Sequence, residues 1–440
     1  MHRSPRHPEP RRHAPPRRGL AGLLAVLLLA AAAVAHADAG HDHAEPEVQT
    51  VRNPEVAGSR IVVSDADSPT VAVLDLASGH PVARFDTPGD AGRVYGVPGG
   101  QYALVAHRDQ NRLSVIRTGL RVADHGDHQD LLQEAPYVQA TMNVGRQPTH
   151  VFLRGDDIVI FNDADGTVAL LDRRLLNVTI DYQEVLGAQP DHGAAVTLAD
   201  HVLIGYLRLG RVDVVERSGE RVASFEDCPR LHGQAVSGRT AAVGCDDGIL
   251  LVHADDDGFH AVKIDEPARS PEDARVGTLA GHDDASVFVG NFGEGLLIAD
   301  PATEDAFAVE LSDRPVSMVF QDGAHLLVLT ADGVLRKFHA ASGETEAELV
   351  VVETSHDDSA RPGLALSPDR THAYVSDPAA AAVHEVDLRT FTAVRTVALP
   401  FMPAGFTVAA IPDAVIHDFG EHDHDHDHDH DEDDDHDHDH

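Results

Sequence analysis

Along most of the chain, short apolar runs alternate with clusters of Gly, Pro, Asp and Ser. Ile61-Val62-Val63, Val71-Ala72-Val73-Leu74-Asp75, Leu104-Val105-Ala106 and Leu113-Ser114-Val115-Ile116 are of this kind. Stretches rich in β-branched residues and bounded by turn formers read as strands. The clearest set runs from Pro362 to Leu399 as GLALSPD, HAYVSD, VHEVDL and FTAVRTVAL, four strands with a Ser-Pro-Asp turn after the first. The same grammar recurs at 146–182, 190–225, 230–262, 273–311 and 313–350.

A repeat of this kind converts a chain long enough for several domains into one architecture. First strands are predicted to begin near 92, 146, 190, 231, 275, 314, 361 and 403. Four-stranded units at about 40-residue spacing stack radially, so the predicted fold is an all-β, single β-propeller. Eight blades are expected, with seven the alternative. The run Gly405–Ile411 is a first strand without partners, and Arg60 to Phe85 supplies three strands lacking a first, so the two ends should complete one blade and close the ring. A β-sandwich does not repeat a four-strand period this often. The absence of Trp argues against a WD-type repeat. Residues 119–144 read as an insertion extra to the repeat.

The first 37 residues have a different character. Six Arg precede an apolar run from Leu20 to Val34, followed by Ala35-His36-Ala37. This is the order of a secretory signal peptide, cleaved after Ala37. The run Leu20–Ala35 is short for a membrane span, so no membrane insertion is expected after cleavage. The expected organisation is a signal peptide over 1–37, a flexible His-containing segment over 38–57, the propeller over 58–415 and a disordered His/Asp-rich tail over 416–440. Export implies an oxidising compartment, in which the only two cysteines, Cys228 and Cys245, should form a disulfide. They stand in no CxxC or CxxCH pattern.

Charge and histidine content then narrow the function. With 34 Lys+Arg against 73 Asp+Glu the formal charge is −39, which repels phosphate backbones and excludes nucleic acid as a partner. The 31 histidines are clustered. In a propeller, the segment leading into each inner strand and the loop joining the second strand to the third share one face. Three consecutive units reach that face with a histidine: Gln147-Pro148-Thr149-His150, Gln189-Pro190-Asp191-His192 and Pro229-Arg230-Leu231-His232. His107 is placed there by its second-to-third loop, and His125 and His128 by the 119–144 insertion. Imidazoles converging from rigid strand ends suit zinc above other divalent ions. The cysteines frame the blade carrying His232, where a disulfide would steady its loop. Asp163-Ala164-Asp165-Gly166 reads as a tight turn.

Histidines also mark both ends of the expected mature chain. It opens with His41-Asp42-His43, and Glu421 to His440 holds eight His, ten Asp and two Glu, among them His422, His424, His426, His428 and His430. Such a segment builds no core, but its imidazoles and carboxylates form a multi-site, exchangeable metal sponge.

The signal peptide, the His-Asp-His near the mature N-terminus, the propeller repeat and the pattern around His150, His192 and His232 together resemble the AztD family of periplasmic zinc metallochaperones. That resemblance covers roughly residues 45–415. It implies a carrier that takes Zn2+ and delivers it to the solute-binding protein of a zinc ABC importer, and a monomer with no chemistry of its own is expected. It also implies that His41 and His43 correspond to the family's His-rich N-terminal segment. The C-terminal His/Asp run has no counterpart in that picture. The alternatives are a metal-dependent hydrolase or lactonase, using metal-activated water with Asp109, Asp191 or Glu134 as base, and a metal buffer or interaction platform. No GxSxG, HExxH or Walker A pattern is present.

Overall fold

The computed structural model describes residues 58–124, 129–268, 270, 274–353 and 361–411. These residues form eight four-stranded antiparallel sheets and one two-stranded sheet, with a single 3-10 turn at Arg173–Leu175. The eight sheets are the blades of a propeller. In chain order the inner strands of the second to eighth blades begin at Val94, Pro148, Gly193, His232, Leu279, Pro315 and Leu364. The eight-bladed expectation holds, and each start lies within a few residues of its predicted position. The leader, the His41/His43 segment and the tail histidines lie outside the described residues.

Burial explains the hydrophobic pattern. In the first blade Arg60–Asp65 and Thr70–Asp75 are buried at every position, because both faces of each sheet pack on neighbouring blades. The rim strand Pro81–Asp86 is exposed at alternate positions. This is why interior strands read as nearly continuous apolar runs while rim strands alternate. Eight apolar layers, one between each pair of adjacent blades, form the core.

The ring closes as predicted. Pro403–Ala409 is the inner strand of the first blade and pairs antiparallel with Arg60–Asp65, Arg60 opposite Ala409 and Asp65 opposite Pro403. Phe406 and Val408 pack against Ile61, Val63 and Leu74 in the layer between the eighth and first blades. Closure therefore rests on the two chain-distant segments together. Arg60, buried beside them, is ion-paired with Asp75.

The insertion requires a correction. Tyr137–Met142, expected to be extra, is the rim strand of the second blade and pairs with Leu113–Arg117. What is inserted is a hairpin, Leu120–Asp124 with Gln129–Gln133. It follows the third strand, Arg112–Arg117, which runs away from the His107 end of the blade. The base of the hairpin therefore springs from the face opposite the one assigned to it from sequence. His125 and His128 lie outside the described residues.

Candidate metal centre

Three histidines meet at one mouth of the central channel. His150 lies near the start of the inner strand Pro148–Arg154, His192 immediately precedes Gly193–Leu198, and His232 begins His232–Ser237. They belong to the third, fourth and fifth blades, so adjacent blades aim them at a common point. Local irregularities turn the side chains. The register shifts between Pro148 and His150 and again between His232 and Gln234, and bulges of this kind redirect a side chain at a strand end. At the second bulge Gly233 takes φ +75°, and a Cβ there would sit 2.8 Å from the Gly277 carbonyl oxygen, so the position requires glycine.

The cluster has the dimensions of a ligand set. One ring nitrogen from each residue lies within 4.8 Å of the others, and the ring centroids are 5.0, 5.1 and 5.6 Å apart. His150 Nε2 is 3.4 Å from His192 Nε2. Two nitrogens on one tetrahedral zinc, each at 2.0–2.1 Å, stand roughly 3.3 Å apart. That pair is already spaced as an edge of such a site.

Hydrogen bonds choose the tautomers. His192 Nδ1 donates to Asp163 Oδ2 at 2.9 Å, and His232 Nδ1 donates to the Gly277 carbonyl at 2.6 Å. Both bonds leave Nε2 as the lone-pair nitrogen facing the cluster, the arrangement that orients metal-binding imidazoles. Gly277 is held in turn by Asn291, whose Oδ1 accepts from the Gly277 and Thr278 amides. Asp163 is nearly buried and also accepts from Arg108 at 3.2 Å. Burial alone would raise its carboxyl, but hydrogen bonds from His192, Thr149 and Arg108 hold it below the usual range.

Two of the imidazoles, those of His150 and His232, are poor proton acceptors where they stand. Burial is the main reason that His150 is pushed down to about 3, followed by the neighbouring His192 and His232 and by Arg93, with Asp163 opposing. His232 is lowered as well, first by burial, then by His192, Arg275 and Arg93, against the Gly277 hydrogen bond. Protons therefore compete weakly for these nitrogens, which favours a metal ion.

His107 does not join this group. As the last residue of Tyr102–His107 its side chain turns into the sheet, fully buried, with Nδ1 at 3.0 Å from the Gly89 carbonyl and Nε2 at 2.9 Å from Ser114 Oγ. Both nitrogens are committed to the fold, which corrects its assignment as a ligand. Cys228 and Cys245 form a disulfide, Cα atoms 4.8 Å apart. Beside it the Asp246 amide donates to the Pro229 carbonyl, pinning the segment that ends in His232. The carboxylates considered as catalytic bases are otherwise engaged or remote. Asp191 is buried and accepts from the Arg208 amide, Glu134 pairs with Arg121, and Asp109 is 79% exposed beside Arg108. Asp163, read from sequence as a turn residue, is the residue of the cluster that sequence reasoning missed; only its place in the second-to-third loop of the blade before His192 could have marked it.

The opposite mouth is different. There a cavity of about 550 Å³ is lined by Phe152, Val236, Leu279, Met318 and Phe320 among others. Arg154 reaches across it to Asp283 at 2.8 Å and to the Gly238 carbonyl at 2.8 Å. No second ligand set converges there among the described residues.

Fold and cluster together define an eight-bladed propeller with a three-histidine group of metal-ligand spacing at one mouth. Comparison with known proteins sharpens the class. The chain is similar to the zinc chaperone AztD of Citrobacter koseri, with 26% identity over 385 residues, 84% of this chain and 90% of that protein. A crystal structure of C. koseri AztD superposes with a TM-score of 0.72 at 25% identity, covering 82% of this chain and all of that one. The apo form gives 0.70 at 24% identity, covering 80% and 98%. The dihydro-heme d1 dehydrogenase NirN, at 16% identity and a TM-score of 0.55 over 79% of this chain and 74% of that chain, shares the fold alone. No family model matches the chain. The resemblance to the AztD zinc chaperones is thus carried by sequence as well as by fold.

Proposed function

We propose that this protein is a periplasmic zinc chaperone that holds Zn2+ on His150, His192 and His232 and transfers it to the solute-binding protein of a zinc ABC importer. The observation that carries the reading is the convergence of three imidazole nitrogens within 4.8 Å from three adjacent blades. Three neutral imidazoles suit zinc and leave one position of a tetrahedral ion for an incoming ligand. A carrier needs that accessible position, since transfer by ligand exchange avoids free zinc. The rigid strand ends preorganise the site, and Asp163 and the Gly277 carbonyl fix the ring orientations. His41, His43 and the tail histidines from His422 onward serve as capture sites that feed the mouth. The basic, apolar leader supports export and cleavage after Ala37, and the disulfide supports an oxidising compartment. The protein acts as a monomer without chemistry of its own.

A zinc titration against a chromophoric chelator tests the site. His150→Ala, His192→Ala and His232→Ala should each remove the tightest site of the full chain while leaving the weaker tail sites. Three variants that all retained the parent's tightest site would overturn the assignment. Stoichiometric transfer to an acceptor protein, without turnover of lactones or phosphoesters, separates the carrier from the hydrolase.

A further inference from the structure

Two arginines flank the histidines around the same mouth. Going round the ring from the second blade to the sixth, the residues at or leading into the inner strands are Arg93, His150, His192, His232 and Arg275. Arg275 stands two residues before Gly277, and its Nε would lie 3.7 Å from a Cβ built there, beside the carbonyl that holds His232. Arg93 interacts with the Tyr95 hydroxyl, which also meets the backbone of Val151, the residue after His150. The positive charge of Arg93 acts on both His150 and His232, and that of Arg275 on His232.

Neither guanidinium has a carboxylate partner among the described residues. Several other arginines on this face do: Arg108 pairs with Asp163, Arg146 with Asp165, Arg208 with Asp191 and Arg230 with Asp246. Arg112 and Arg361 share the face without an ion pair among the described residues, but neither flanks the histidines. In a chain with more than twice as many acidic as basic residues, the two guanidiniums beside the histidines are left without a carboxylate among the described residues. They cannot shed their protons, and beside a cation they would repel it. An anion at the remaining position of the ion reverses that balance. A guanidinium fork matches a carboxylate in shape and donor direction.

We propose that Arg93 and Arg275 form an anion clamp over the open position of the zinc ion, and that the ligand they steer there is a carboxylate. This rests on the zinc-carrier reading above. The carboxylate comes either from this chain's own Asp-rich segments or from another molecule, and its role is the same in both cases. It completes the coordination of the stored ion and marks the path by which an exchanging ligand arrives.

Formate is the probe, and Co2+ the paramagnetic stand-in for zinc. Proton relaxation of formate is measured with the full chain carrying one equivalent of Co2+, with the triple His150→Ala/His192→Ala/His232→Ala chain giving the background from other sites. The parent should relax formate saturably above that background. Arg93→Gln/Arg275→Gln should raise the formate dissociation constant at least tenfold without weakening Co2+ binding, and Arg93→Lys/Arg275→Lys should fall between. Formate binding unchanged in the Gln pair, or no relaxation above background, overturns the clamp. Co2+ affinity of the triple His variant, read in the same titration, separately reports failure of the triad itself. Converting the tail aspartates of the full chain to Asn distinguishes the sources. Tighter formate binding identifies the tail as the native carboxylate, and unchanged binding identifies another molecule.

Discussion

Replacing Asp163 with Asn tests whether the cluster is built as a metal site or merely tolerates histidines. The carboxylate accepts His192 Nδ1–H at 2.9 Å and an Arg108 nitrogen at 3.2 Å, and its side chain is 6% exposed. A buried charged hydrogen bond of this kind is worth about 1.5–3 kcal/mol. Asn is nearly isosteric, but its amide can turn an N–H toward Nδ1. That would stabilise the tautomer carrying its proton on Nε2, the nitrogen aimed at the cluster. Loss of a partner that orients a metal-ligating His typically lowers affinity about 10–100-fold, which corresponds to about 1.4–2.7 kcal/mol. The larger figure is expected because both orientation and charge are lost. Competition with a chromophoric chelator measures it, and in a His192→Ala background the same substitution should add almost nothing. An Asp163→Asn protein that stayed folded and bound zinc within about twofold of the parent would refute the tautomer argument, because the predicted loss is at least ~1.4 kcal/mol.

Other consequences follow from the same geometry. His150 has a folded value of about 3, and His232 is also depressed. The unfolded chain therefore binds more protons than the folded one below about pH 6.5. Stability of the zinc-free protein should fall as pH drops from there toward 3, by up to roughly 1.4 kcal/mol per unit for His150 alone. Denaturant titrations at pH 7.5, 6 and 5 measure the slope, which His150→Gln should flatten; an equal slope in that variant removes His150 as the source. Gly233→Ala places a Cβ 2.8 Å from the Gly277 oxygen at φ +75°, costing on the order of 1–3 kcal/mol in melting experiments. It should also weaken zinc by dislodging the His232 acceptor, so a variant melting with the parent contradicts the bulge argument. Cys228→Ser/Cys245→Ser opens a loop with a sequence separation of 17 and should cost about 3 kcal/mol. A loss well under 1 kcal/mol by denaturant titration would show that the bridge is thermodynamically idle.

The ring was legible because burial writes itself into the strands. Val71–Asp75 and its counterparts are packed on both faces, so they appear as apolar runs whatever their neighbours. The histidine triad was legible for a related reason, since positions at the entries of equivalent inner strands become neighbouring positions around a mouth. His107 failed because sequence position gives a residue's height in a blade but not whether its side chain leaves the sheet or turns into it. The hairpin at Leu120–Gln133 failed because it interrupts a blade between its third and rim strands, so Tyr137–Met142 could not be recognised as the missing fourth. Asp163 sits in an Asp-x-Asp-Gly turn of ordinary composition. Its role exists only once His192, 29 positions later, is folded against it.

The closing blade determines where the two unpaired ends of the ring begin. Asp65 meets Pro403 on the triad side and Arg60 meets Ala409 on the other, so the chain enters and leaves the propeller at the far mouth. The Arg154–Asp283 bridge spans that mouth, leaving the outer wall as the route between the two sides. Pro403–Ala409, seven residues long, sets the height at roughly 23 Å. His422 stands eleven residues beyond Ile411, a leash of about 35–40 Å at full stretch. Going round the wall means three strand spacings out, the height and three back, roughly 52 Å in all, so His422 falls short and only histidines from about His428 onward have the length. Tethering of this kind replaces a bimolecular encounter by a local concentration in the millimolar range. On the proposed function, hand-over between tail and mouth should therefore be first order, independent of how dilute the protein is, and should stop abruptly once the spacer is cut too short to round the blade.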